Sequence, residues 1–193
     1  SSFCGGVACA GYTDSWLGMV IGYNSGGTCI SCRQCYGIVL GACNVYKINC
    51  SGSNGSNEMV CSTVIGTNNY NNMCNNMCGT TVIGDHIGQA SGKSCCSMNN
   101  TFIGSWIARA QTSSTNNYGC ENTYIGYAAG YRSLCERNVT AIGSCAAFCR
   151  CGNYAGLAIG FKAGLCTRAT YDDIAVGTCA NCCGWWTYRS TVA

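Results

Sequence analysis

Residues 122–183 read NTYIGYAAGYRSLCERNVTAIGSCAAFCRCGNYAGLAIGFKAGLCTRATYDDIAVGTCANCC. Within them an aliphatic–glycine pair recurs four times, as Ile125-Gly126, Ile142-Gly143, Ile159-Gly160 and Val176-Gly177, at a constant step of 17 residues. Traced towards the N-terminus, the pair returns as Ile103-Gly104, Ile83-Gly84, Ile65-Gly66, Leu40-Gly41 and Ile21-Gly22, with steps of 18 to 25. Cys4-Gly5 reads as a degenerate tenth copy. Self-similarity of this period marks a repeat architecture, in which each unit buries its apolar face only by stacking on the next.

The neighbours of each glycine define the unit. One position before it stand Ile21, Leu40, Ile65, Ile83, Ile103, Ile125, Ile142, Ile159 and Val176, a column of large aliphatics expected to form the core. Three before it stand Met19, Ile38, Thr63, Thr81, Thr101, Thr123, Thr140, Leu157 and Ile174. Residues two apart share a face of a strand, so both columns are expected to point inward. Three after it, Ile87, Ile107, Ala129, Ala146, Ala163 and Ala180 suit a corner where the chain turns over that core. The segments between, such as SGSNGSN and QTSSTNNYG, read as loops and absorb the variation in step. The absence of proline leaves every amide available to a ladder. The expected fold is therefore all-β: a single domain over residues 1–193, a β-solenoid of the β-roll or β-helix kind with about nine to ten short rungs. Rungs would stack at ~4.8 Å. Residues 184–193 are expected to cap the stack or to dock another subunit.

Only 9 % of the chain is charged, against ~25 % in ordinary soluble domains. A surface of Ser, Thr, Asn, Gly and Tyr follows, neutral and suited to packing on copies of itself. The net charge of +3 is scattered, with Arg132, Arg137 and Arg150 the densest group, and no basic run points to nucleic acid. No apolar run reaches the ~18 residues of a membrane span. The start, SSFCGG, reads as an already processed N-terminus.

The 21 cysteines read as a cross-linking scheme in an oxidising, extracellular compartment. Cys149, Cys166 and Cys183 are 17 apart and should stack. Cys145 and Cys179 share a second column with Lys162 between them, and Cys35, Cys78 and Cys120 each precede a repeat glycine by six. Like positions on adjacent rungs lie ~5 Å apart, within disulfide range. Asn49, Asn54, Asn99 and Asn138 open Asn-X-Ser/Thr sequons for N-glycosylation.

The residue two before each glycine is apolar in every copy: Val20, Val39, Val64, Val82, Phe102, Tyr124, Ala141, Ala158 and Ala175. By strand parity this column is expected outside, as a stripe buried against another subunit. Phe3, Tyr12 and Trp16 at one end and Trp185, Trp186 and Tyr188 at the other are candidate end contacts for head-to-tail growth.

Catalytic and metal chemistry find little support. CISCRQC, with Cys29, Cys32 and Cys35, has iron–sulfur spacing but lacks the Cys-Pro that completes it, Val39 standing in its place. A zinc set of Cys29, Cys32, Cys179 and Cys182 would join opposite ends of a solenoid. His86, the only histidine, follows Asp85 at an expected corner, with no third group to complete a nucleophile pair. No enzyme activity, metal or cofactor is expected.

NTYIGYAAGY and NVTAIGSCAAF resemble the Ile-Gly-x-x-Ala-Gly repeats of viral and phage tail fibres, and are similar to the β-roll heads of trimeric autotransporter adhesins. The resemblance runs over about residues 18–182 and is closest after residue 99. It implies a surface-exposed fibrous or adhesive module, and carries no catalytic residues over. This chain departs from that pattern in its many cysteines and uneven steps. The leading expectation is a structural subunit of an extracellular fibre or surface appendage, assembling with copies of itself and stabilised by disulfides. The alternatives are a receptor- or glycan-binding adhesin module and, third, an ice-binding protein. The last requires a flat outward array of threonine, whereas the Thr column shares parity with the expected Ile core.

Overall fold

The computed structural model describes residues 3–5, 14–16, 19–22, 25, 32–35, 38–44, 57–69, 77–88, 97–107, 120–132, 137–149, 155–166, 172–182 and 191–192. Among them there is no helix, and every paired strand is parallel. The chain is an all-β solenoid.

One long sheet runs the length of the coil. Its members are β1 (Phe3–Gly5), β3 (Met19–Ile21), β5 (Ile38–Ala42), β7 (Thr63–Thr67), β9 (Thr81–Asp85), β11 (Thr101–Ser105), β12 (Thr123–Tyr127), β13 (Thr140–Ile142), β14 (Leu157–Ile159), β15 (Ile174–Val176) and β16 (Thr191–Val192), paired in that order. A second sheet of five lies alongside: β2 (Asp14–Trp16), β4 (Cys32–Cys35), β6 (Asn57–Val60), β8 (Met77–Cys78) and β10 (Ser97–Met98). The register is the repeat itself. Thr81, Val82, Ile83 and Gly84 pair with Thr101, Phe102, Ile103 and Gly104, and these with Thr123, Tyr124, Ile125 and Gly126. At the N-terminus Gly5 pairs with Ile21 rather than with Gly22, so the tenth copy is offset by one from Cys4-Gly5. At the C-terminus Thr191 and Val192 pair with Ile174 and Ala175, so part of the expected cap extends the sheet.

The repeat glycines share φ values from +118° to +145°, a region closed to side chains. Other corners are left-handed without glycine. Five before the glycine, Cys61, Asn99, Glu121, Asn138, Ala155 and Asp172 all have φ between +49° and +60°. Two after it, so do Asn68, His86, Trp106, Ala128, Cys145, Lys162 and Cys179, between +50° and +60°. Each costs roughly 1–3 kcal/mol, a strain that persists where neighbouring rungs hold the backbone in place.

Which face is inside reverses the expected parity. The column two before the glycine is the core: Val39, Val64 and Val82 are fully buried, as are Phe102, Tyr124, Ala141, Ala158 and Ala175 to within 5 %. It is not the intersubunit stripe. The column one before the glycine is not the core: Ile21, Ile83, Ile103, Ile142 and Val176 are 37–40 % exposed, and Leu40, Ile65, Ile125 and Ile159 are half-buried. The reason is volume. A coil of 17 residues per step is too narrow inside for stacked isoleucine, and there the inner column is alanine throughout. Where the steps lengthen to 18–25 residues, the same column grows to valine, phenylalanine and tyrosine. The Phe102 and Tyr124 rings stack at 5.3 Å, and the Tyr124 ring lies against Gly130. The column three after the glycine is buried too, from Ile87 and Ile107 to Ala129, Ala146, Ala163 and Ala180.

Polar side chains complete the interior. Ser25, Asn44 and Asn69 occupy the first rungs of the buried column three after the glycine. Asn69 Nδ2 donates to the carbonyls of Gly84 (2.9 Å) and Ile65 (3.3 Å), while its Oδ1 accepts from Ile87 N at 3.0 Å. Asn44 makes the same contacts one rung earlier, to Leu40, Gly66 and Asn69. Four before the glycine, Asn100 Oδ1 accepts from Asn122 N at 2.9 Å, and Asn122 Oδ1 from Val139 N at 3.0 Å. These ladders satisfy corner amides that β-pairing leaves over. Asn69→Leu would strand two carbonyls and one amide, so thermal unfolding should show a loss of about 3 kcal/mol. An unchanged midpoint would mean that water replaces the ladder.

Candidate functional site: the outer face of the long sheet

Since the inner column is two before the glycine, the residues one and three before it face out together. Thr63, Thr81, Thr101, Thr123 and Thr140 form one rank, half-buried against each other. Met19, Ile38, Leu157 and Ile174 continue that rank by register, and Ile38 and Ile174 are exposed. The aliphatic column from Ile21 to Val176 forms the second rank, two residues along each strand. Parallel pairing without a register shift keeps both ranks straight across β3 to β15. A third rank lies one after the glycine: Thr67, Asp85, Ser105, Tyr127, Ser144, Phe161 and Thr178, with Tyr127 54 % and Phe161 47 % exposed.

Two properties make this surface distinctive. It is apolar over a long distance: the nine paired strands from β3 to β15, at ~4.8 Å each, and a width of ~10 Å give a stripe of roughly 400–450 Å². That matches the largest apolar patches of soluble monomers, which are often functional. It is also nearly uncharged among the described residues, Asp85 on its rim being the exception.

Asp85 is tied into a small cluster. Thr67 Oγ1 hydrogen-bonds one carboxylate oxygen, and His86 Nδ1 meets the other at 2.6 Å. Burial pushes the Asp85 carboxyl up, but the hydrogen bonds of Thr67 and His86 and the charge of His86 outweigh it and hold the group below its ordinary value. The His86 ring stacks on Trp106 at 5.8 Å. The order is hydroxyl–carboxylate–imidazole. A nucleophilic triad needs the imidazole in the middle, between hydroxyl and carboxylate, so this arrangement does not activate Thr67.

The cysteine columns are partly assembled. Cys149 and Cys166 sit on adjacent rungs, their amides bonded to the Tyr131 and Phe148 carbonyls. Cys145 and Cys179 flank Lys162 and lie two rungs apart. The third column does not form pairs: register puts Val60 between Cys35 and Cys78, and Met98 beyond Cys78 before Cys120 is reached. Two rungs span ~9.6 Å, beyond disulfide range. Among the described residues Cys43, Cys61, Cys78, Cys120, Cys145, Cys149, Cys166 and Cys179 are free thiols. No group of three metal-ligating side chains occurs among the described residues.

The sequon asparagines Asn99 and Asn138 are exposed, at left-handed corners. Asn49, Asn54, Tyr12, Cys29, Cys183, Trp185, Trp186 and Tyr188 lie outside the described residues, and for Phe3, Trp16, Val20 and Cys35 only the strand position is described. The outer face itself was missed as a site because its aliphatics were assigned to the core. The signal that separates the two faces was present: the column two before the glycine is alanine where the step is 17 and larger where it is longer, and an outward column has no reason to switch there.

Comparison with protein-family models, with curated proteins and with solved structures finds no match to this chain.

Proposed function

We propose that the protein is a self-assembling structural subunit of an extracellular fibre or surface appendage, and that the outer face of the long sheet is its assembly surface. The observation that carries this reading is the straight double rank of outward aliphatic and Thr side chains, half-buried to exposed, on a chain with very few charges. Two such faces from two copies would bury roughly 850 Å² together, and contacts from loops beside the face would bring the total to the ~1,000 Å² of a specific interface. Ridges of Ile and Thr can interdigitate as two sheets do at ~10 Å separation. The resemblance to tail-fibre and adhesin-head repeats supports the same reading. So does the cysteine content, which suits an oxidising location where disulfides between rungs lock a coil of nine or ten turns. Sedimentation velocity from nanomolar to tens of micromolar protein tests it. A monomer shifting to a discrete oligomer or to fibrils is expected, and a monomer at all concentrations in both reducing and oxidising buffer refutes it.

A second reading is favoured by the outward Thr rank. Tetrahedral water with O–H···O distances of ~2.75 Å repeats at ~4.5 Å between second neighbours. Hydroxyls on adjacent strands repeat at ~4.8 Å, so a rigid Thr-x-Ile face comes close to the spacing of an ice plane. Ice binding needs the face free, whereas assembly covers it. Thermal hysteresis that is highest in dilute monomeric protein would replace the assembly reading, and its absence there removes the ice-binding one.

A further inference from the structure

Six residues after the repeat glycine, Arg132, Cys149 and Cys166 occupy the same corner of three consecutive rungs, with φ of +56°, +57° and +52°. The backbone holds the two cysteines one rung apart: Cys149 N bonds Tyr131 O at 2.7 Å and Cys166 N bonds Phe148 O at 2.8 Å. Adjacent rungs put their Cα atoms ~5 Å apart, at the centre of the disulfide range. The Cys166 thiol is a close enough neighbour to act on the Cys149 thiol electrostatically. Cys166 is exposed and Cys149 half-buried. No other two described cysteines occupy the same position on neighbouring rungs.

We infer that Cys149 and Cys166 form a redox staple between two rungs, made by exchange with a small-molecule disulfide of the glutathione class. It deepens the cross-linking part of the proposed function by naming the pair. The exposed Cys166 thiolate attacks one sulfur of the small disulfide, RSSR, and releases one thiol, RSH. The Cys149 thiolate then attacks Cys166 Sγ in the mixed disulfide and releases the second RSH. Two protein thiols and RSSR give one protein disulfide and two RSH, so atoms and electrons balance. Burial, and the neighbouring Cys166 after it, push the Cys149 thiol above its ordinary value against the charge of Arg132, which suits the resolving rather than the attacking role. The bond closes a 17-residue loop, matching the repeat step, and so ties the coil without altering its register.

The test uses the full chain, reduced, then equilibrated with mixtures of reduced and oxidised glutathione, quenched, alkylated and digested with trypsin. Cleavage after Arg137, Arg150, Lys162 and Arg168 gives NVTAIGSCAAFCR and AGLCTR. The expected product joins Cys166 to Cys149, and fragmentation separates this from a bond to Cys145. Cys166→Ser should lower the unfolding midpoint by ~10 °C in oxidising buffer and leave it unchanged in reducing buffer. Cys166 joined to another cysteine overturns this assignment and leaves disulfide stabilisation standing. Complete alkylation of every cysteine at an extracellular redox poise overturns both.

Discussion

Gly104→Ala is expected to abolish cooperative folding. Gly104 sits at φ +135°, and a Cβ added there would overlap the carbonyl oxygen of Gly126 on the next rung. The obstacle is backbone, which cannot rotate aside. Relief requires two rungs to separate or the coil to change pitch, and either breaks the ladder on both sides. Strain and lost pairing together should exceed ~4 kcal/mol, the exceptional end of single substitutions, out of a total of ~5–15. The contrast variant is Gly164→Ala. Gly164 has φ +63°, and Ala147 already occupies the equivalent corner one rung earlier at +53°. That substitution should cost about 1 kcal/mol or less. Circular dichroism melts of the two variants check the pair of expectations. A folded Gly104→Ala protein with a normal midpoint would mean that the rungs do not stack as closely as the glycine column requires.

Placing Glu at both Ile83 and Ile142 is expected to eliminate self-association while leaving the coil folded. Both side chains point outward, 40 % and 37 % exposed, so in the monomer the carboxylates reach water. They are three rungs apart, which keeps their mutual repulsion small. In an assembled pair of faces each would be an unpaired charge in an apolar seam, at about 3–5 kcal/mol. A loss of at least ~100-fold in association follows from one such charge alone, at tenfold per 1.4 kcal/mol. Asn99→Asp, a charge on an exposed corner away from the face, should change nothing. If the double Glu variant assembles like the native chain, the contact lies elsewhere on the coil.

Much of the fold was legible in the sequence, and the error is instructive. The step, the strand over the three residues before each glycine, the corner glycine and the small or apolar corner column Ile87–Ala180 all follow from spacing and residue type. Strand parity did not. Segments such as MVI, IVL and LAI are apolar at every position and carry no alternation. Choosing the larger aliphatics as the core then inverted the coil. Buried asparagine was equally hidden, because Asn44, Asn69, Asn100 and Asn122 resemble the surrounding Asn-rich loops and acquire partners only through stacking. The inversion moved the candidate site from Val39, Val64 and Val82 to the Thr and Ile ranks, and removed the objection that threonine faces inward.

Hydroxyl-radical footprinting across a dilution series tests the central claim most directly, because it reads both which column is outside and what covers it. The assembly account predicts that Ile83, Ile103 and Ile142 are oxidised in dilute monomer and become protected as oligomers form, while Val39, Val64 and Val82 stay protected at every concentration. Oxidation of the valines in monomer, or isoleucines equally reactive before and after assembly, would contradict it.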